Sequence, residues 1–350
     1  MIALIGLLLF GVVALIFVSA ALSPLESLSW WAWSGSKPKS PEELEEAAEA
    51  QAADEPEEDF YLVYLSGIGA ISGTSIPDEE YPFIHGLEAR LTNGKVISDI
   101  YPYSVTNNGL TGQRTFARIW RWVEKLRLKN PNSALAMIVN LRNIFQLFVS
   151  ADRRYGPIYN LGIANEILRG LLRHGYRPTR RKPIVLLGWS GGGQIAIGSV
   201  TFLAPYTDAL YEVSVGGMLS DDIGFDKITH LWHLYGEKDK LQALGHTLFA
   251  GRWQLLPQSP WNRAMRAGKI DMIPLGPFNH NGKGNYFDME SQIPDDPQGR
   301  TYGEKTLDTI EDVLTKAGLL KAAPAATSPQ SATAAQPAAP VTADEDAAAA

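Results

Sequence analysis

Two short apolar runs, Phe60–Leu65 and Ile184–Leu187, have the length and composition of strands buried on both faces. Further strand-like runs alternate with segments of helical spacing along the chain. Several are followed at once by loops rich in glycine and polar residues. Together these observations predict an α/β fold: a mostly parallel sheet with helices on both faces.

Met1–Leu22 contains no charged side chain and is long enough to cross a bilayer as one helix. Trp30, Trp31 and Trp33 follow, as in the aromatic belt of a membrane interface. A cleaved signal with Val18-Ser19-Ala20 as its small-residue site is the alternative. No basic segment precedes the apolar run, and the run exceeds the usual length of a signal core. The expectation is a single-pass membrane anchor, one transmembrane helix ahead of the soluble domain. The side of that domain stays open, because Lys37 and Lys39 beside an acidic tract orient it weakly. Residues 23–59 form an acidic Glu/Ala/Pro linker that cannot bury a core.

From there each element has its own signal. Phe60–Leu65 is a strand of aromatic and branched residues that ends in Ser66-Gly67-Ile68-Gly69. Glu80–Leu91 suits a helix and Lys95–Tyr101 a second strand. Thr106–Arg114 is polar and reads as loop. Phe116–Leu128 has helical spacing, with Arg118, Arg121, Lys125 and Arg127 on its other face. Ser133–Asn140 reads as a strand, and Ile144–Val149 as an apolar patch without a clear period. Leu161–Gly175 reads as a helix closed by its glycine. Tyr211–Val215, Ile228–Leu234 and Lys269–Pro274 are the later strands, Asp239–Phe249 and Thr306–Leu319 the later helices. Two segments, about 106–152 and 251–267, form caps on a domain spanning 60–321. Phe145, Phe148, Trp253 and Trp261 in them suggest an apolar pocket. Residues 322–350 are an Ala/Pro-rich tail expected to be disordered.

Composition excludes several chemistries. The chain has no cysteine, which removes disulfides, thiolate catalysis and cysteine-ligated metals. Its formal charge of −7 comes from the linker and tail; residues 60–321 hold 29 basic and 24 acidic residues. That scattered excess makes no case for nucleic acid. No His/Asp/Glu cluster has metal-ligand spacing, so no metal or other cofactor is expected.

Gly188-Trp189-Ser190-Gly191-Gly192 joins the apolar strand to a small-residue helix beginning near Gln194. A serine between glycines on such a turn is a nucleophile elbow. Side chains at Gly188 and Gly192 would collide with neighbouring strand and helix. The strained serine projects its hydroxyl above the sheet, and the helix points its amides at the same spot. No Lys-Ser or Lys-Thr pair closes the run, so it is not a phosphate loop.

A serine hydroxyl needs an imidazole to take its proton and a carboxylate to hold the ring. Two later strand ends supply candidates. Tyr235-Gly236-Glu237-Lys238-Asp239 follows one, and Gly276-Pro277-Phe278-Asn279-His280-Asn281 the other. Asp239, Asp221, Asp222 and Glu237 all remain eligible as the acid. Among six histidines, His230 and His233 lie within a strand, His85 stands too early, and His174 and His246 belong to helices. His280 remains.

These motifs resemble the α/β-hydrolase superfamily over roughly Phe60–Leu319. The resemblance rests on the elbow, the glycine loop after the first strand, Gly236 followed by Asp239, and the late histidine in a Gly/Pro/Asn loop. It implies Ser190 as nucleophile, Asp239 as acid and His280 as base. It also implies an oxyanion hole from the N–H of Gly191 and that of Gly67 or Ile68. Ser66 stands where many members carry histidine, and the usual two leading strands are absent. The implied activity is that of a serine hydrolase on an ester or thioester of an apolar acyl group, a small molecule or lipid. A non-catalytic binding protein of the same fold and an acyltransferase are the alternatives. Gly67-x-Gly69 also resembles a dinucleotide fingerprint, but Pro77 and Pro82 block the helix that a pyrophosphate would need.

Overall fold

The computed structural model describes residues 56–70, 76–105 and 134–321, the stretches 25–34 and 40–44, and a few isolated positions. Its centre is a six-stranded, all-parallel sheet flanked by helices, in the order β2-β1-β3-β4-β5-β6. The strands are β1 (Phe60–Leu65), β2 (Gly94–Ile97), β3 (Ile184–Trp189), β4 (Leu210–Val215), β5 (His230–Gly236) and β6 (Ile270–Gly276). Every residue of β1 and β3 is buried, as continuous apolar runs between two helical layers require.

The helices are α1 (Leu25–Ser34), α2 (Glu80–Arg90), α3 (Ala134–Ala151), α4 (Gly156–Arg173), α5 (Gly191–Leu203), α6 (Lys240–Leu248), α7 (Pro260–Arg266) and α8 (Tyr302–Lys316). The chain steps from β1 to β2 in one direction, and from β2 over β1 to β3 and onward in the other. Right-handed crossovers therefore put α2 on one face, and α4, α5 and α7 on the other. The packing agrees: α2 pairs with α8, while α4 and α3 lie against α5. Thr301 and Glu304 close a capping box at the start of α8, and Asp239 caps α6.

The largest departure from the sequence reading is at 133–149. The expected strand Ser133–Asn140 and the apolar patch after it are one helix, α3. Its buried side chains, Val139, Arg142, Asn143, Gln146, Leu147 and Ser150, recur at helical spacing. Most are polar, so the stripe is invisible to an apolar count. The segment 251–267 contains α7, capped by Ser259 Oγ accepting from the Asn262 amide at 3.2 Å. β2 ends at Ile97, four residues short of the expected limit.

Within the linker, α1 packs along α4, and Trp30 lies against the core beside Gly162, where a Cβ would stand 3.6 Å from its ring, instead of standing free. The expected membrane span at 1–22 lies almost wholly outside the described residues. The expected helix at 116–128, the loop at 106–114 and the tail at 322–350 lie outside them entirely. Among the described residues no helix is long and apolar enough to cross a membrane.

Candidate active site

The site is assembled at the carboxyl ends of four strands. β3 is central, and its turn into α5 carries Ser190 with φ 51° and ψ −116°. A non-glycine residue there carries strain of roughly 1–3 kcal/mol. Two glycines make the turn possible. A Cβ at Gly188 would stand 2.5 Å from Gly193 Cα, and one at Gly192 would stand 2.2 Å from the Leu65 carbonyl. β3 thus meets α5, and α5 meets the end of β1, at separations no larger residue permits.

Ser190 Oγ lies 2.9 Å from His280 Nε2, and His280 Nδ1 lies 2.8 Å from Asp239 Oδ2. An ionised carboxylate only accepts, so Nδ1 carries the ring proton and Nε2 accepts from the serine hydroxyl. The Asp239 side chain is wholly buried, and that of His280 nearly so. Burial pushes the Asp239 carboxyl up. The hydrogen bond and charge of His280, the Tyr286 phenol and the Gln242 amide outweigh it and hold the carboxyl below its usual range.

Each partner is held by its own loop. Asp239 Oδ1 accepts from the amides of Leu241 at 2.9 Å and Gln242 at 3.2 Å, at the positive start of α6. His280 sits in a loop closed by the Asn279 amide donating to the Gly284 carbonyl at 2.9 Å. Gly236 brings the two loops together, since a Cβ there would stand 2.4 Å from the Phe278 carbonyl.

The loop after β1 stands beside the serine. A Cβ on Gly67 would come 3.5 Å from Ser190 Cβ, and one on Gly191 would come 2.9 Å from Ile68 Cγ2. Among the described residues, no hydrogen bond engages the N–H of Gly67, Ile68 or Gly191. Leu147 Cδ1, the Tyr103 hydroxyl and Ile68 Cγ2 close around Gly191, at 2.8, 2.8 and 2.9 Å from where a Cβ would stand.

The structure thus brings together Ser190, His280, Asp239, Gly191, Gly67 and Ile68. It leaves the other carboxylates apart. Asp221 pairs with Arg153, and Asp222 accepts from the Gly224 amide at 2.8 Å, while Glu237 is exposed. Burial pushes the Asp222 carboxyl up to about 6. His233, in the core, lies between Ser214 Oγ at 3.1 Å and Gln242 Oε1 at 3.3 Å. Burial and then the charge of Arg252 lower it to about 4. Among the described residues no three His, Asp or Glu side chains converge as metal ligands would.

Four residues escaped the sequence reading. The Tyr286 hydroxyl donates to Asp239 Oδ2 at 2.7 Å and accepts from the Gly236 amide at 2.7 Å. Trp189 stacks on His280, with ring centroids 4.7 Å apart and planes at 22°. Asn143 Nδ2 donates to the carbonyls of Ile68 at 2.7 Å and Ala70 at 2.9 Å, and so fixes the loop after β1. Arg142, buried beside it, donates to the Tyr103 carbonyl at 3.0 Å. Trp189 stands in the variable position of the elbow, where nothing in the motif distinguishes it. The others touch the site across long stretches of chain and leave no local signal.

The four aromatic residues expected to line a pocket disperse. Trp261 is buried against Phe225, at 5.2 Å between centroids, while Trp253 and Phe148 are exposed and Phe145 is half-buried. A cavity of about 540 Å³ lies farther along α5, bordered by Gly198, Phe202, Asp222, Ile223 and Leu256. None of Ser190, Asp239 and His280 lines it. Comparison with protein-family models, with curated proteins and with solved structures finds no match to this chain.

Proposed function

We propose that the chain is a membrane-anchored serine hydrolase of α/β-hydrolase type, cleaving an ester or thioester of an apolar acyl group. One observation carries the reading: the unbroken chain from Ser190 Oγ through His280 at 2.9 Å to Asp239 at 2.8 Å. It counts against the alternative of a non-catalytic member of the fold, which has no need to keep all three groups in register.

Ser190 Oγ attacks the carbonyl carbon, and its proton passes to His280 Nε2. The buried Asp239 carboxylate stabilises the imidazolium and keeps Nδ1–H pointed at itself. Negative charge develops on the carbonyl oxygen beside the N–H of Gly191 and those of Gly67 and Ile68, which have no competing acceptor among the described residues. The leaving alcohol or thiol takes the proton from His280 as the C–O or C–S bond breaks, leaving an acyl-serine. Water, deprotonated by His280, then cleaves the acyl-serine and restores the hydroxyl. Two of the three side chains around Gly191, Leu147 and Ile68, are apolar and the third, Tyr103, is uncharged, which favours an acyl chain over a charged one. The uncharged Met1–Leu22 supports a site held near a bilayer.

The test is hydrolysis of p-nitrophenyl and thioester substrates of increasing acyl length by the purified full chain. The reading expects turnover with a burst of the first product, lost in Ser190→Ala. An absence of turnover across the series, in folded protein, contradicts it.

A further inference from the structure

Helix α6 and the loop after it hold apolar side chains out in water. Leu241, Leu244 and Leu248 are exposed at helical spacing, and Trp253, Leu255 and Leu256 continue the surface, with Leu255 84% exposed. The loop is tied down rather than hanging free. Asn262 Nδ2 donates to the carbonyls of Gly251 at 3.2 Å, Trp253 at 2.8 Å and Leu256 at 2.9 Å. Trp253 Nε1 donates to the His246 carbonyl at 2.8 Å, joining loop to helix. Exposed apolar residues of this density mark an interaction surface.

The charge around them narrows the partner. From Lys240 through Ile270 the chain has no Asp or Glu, but has Lys240, Arg252, Arg263, Arg266 and Lys269. Arg252 is buried over Trp261, and Arg263 is held by Asp226. Lys240 and Arg266 are exposed and pair with no carboxylate among the described residues. Asp221 stands against Gly251 of the loop but pairs with Arg153. Exposed leucine and tryptophan beside Lys240 and Arg266 therefore have the composition of a segment lying in the interface of an anionic bilayer.

We infer that α6 and the loop 249–258 dock on an anionic lipid surface. This rests on the membrane-anchor part of the proposed function and adds a second point of contact to it. Since α6 begins at the cap residue Asp239, docking would hold an element of the Ser190 site at the bilayer.

The chain has no native cysteine, so one labelled cysteine reports one place. Full-length Leu255→Cys carries an environment-sensitive fluorophore. Asp312→Cys, on the exposed side of α8, is the reference. Both are mixed with vesicles of equimolar phosphatidylcholine and phosphatidylglycerol, and with phosphatidylcholine alone. The expected result is blue-shifted emission at position 255, quenched several-fold more by lipid-borne quencher than the reference. It weakens without the anionic lipid, or in Leu241→Glu/Leu244→Glu. A chain that sediments with the vesicles while position 255 stays as open to aqueous iodide as the reference overturns the docking and leaves the anchor standing. Shielding that appears only when another protein is added also overturns it. A chain that does not sediment with anionic vesicles overturns both. Fluorophosphonate labelling of Ser190 in the same samples reads the catalytic reading separately.

Discussion

The Tyr286 hydroxyl donates to Asp239 Oδ2 at 2.7 Å, and that same oxygen lies 2.8 Å from His280 Nδ1. Two donors thus converge on one carboxylate oxygen, while α6 occupies the other. Burial and the neighbouring Asp239 charge push the Tyr286 phenol up, so it remains a donor across the working range of pH. Tyr286→Phe removes a charge-assisted bond and leaves the Gly236 amide unpaired. It should lower kcat/KM about tenfold, equivalent to about 1.4 kcal/mol, in ester hydrolysis by the full chain. An unchanged kcat/KM would show that the phenol only supports the loop.

The acid is tested by its rivals. Asp239→Asn should cost roughly 10²–10⁴ in kcat, because the amide lets the ring adopt the wrong tautomer. Asp222→Asn, Asp221→Asn and Glu237→Gln should each stay within a few-fold of the parent. Steady-state kinetics on one ester separates the four. A large loss in Asp222→Asn with Asp239→Asn intact would move the role.

Asn143 spans α3 and the loop after β1. Asn143→Leu keeps the branch at Cγ, but leaves the carbonyls of Ile68 and Ala70 without their donor and removes the acceptor of the Tyr101 hydroxyl. The loop that presents the Gly67 and Ile68 amides would shift, and kcat should fall about 10- to 100-fold with little change in KM, the pattern for a transition-state contact. A matching rise in KM at constant kcat would indicate a binding role instead.

Glu212 gives a pH prediction remote from the site. It is wholly buried on β4, and neither carboxylate oxygen has a partner among the described residues. Burial, then the nearby Asp222, push it well above the usual range. An acid with a raised folded pKa contributes its stability below its unfolded pKa, near 4.3, and loses it as pH rises toward the folded value. Glu212→Gln should therefore raise the Tm at pH 7 by on the order of a few degrees. The gain should shrink below pH 4, where the parent is protonated in both states. A Tm difference independent of pH would contradict this.

What the sequence discloses follows from how local the physics is. β3, the elbow and the need for Gly188 and Gly192 are legible because the contacts involve adjacent residues. α3 is not legible because, among the described residues, four of its six buried side chains are Arg142, Asn143, Gln146 and Ser150, and polarity conceals the helical period. The acid stayed open among four because strand ends supply carboxylates generously, and only the tertiary path of the His280 loop separates them. Tyr286 meets Asp239 across 47 residues, through a hydrogen bond that no spacing rule anticipates.

The central claim is that Ser190 is a nucleophile activated by His280 and Asp239. Reaction of the full chain with a fluorophosphonate, followed by peptide mass mapping, tests it most directly. The account predicts one adduct, on the peptide bearing Ser190, abolished in Ser190→Ala and strongly slowed in His280→Ala. Folded protein that stays unlabelled, or that is labelled at another serine, would contradict it.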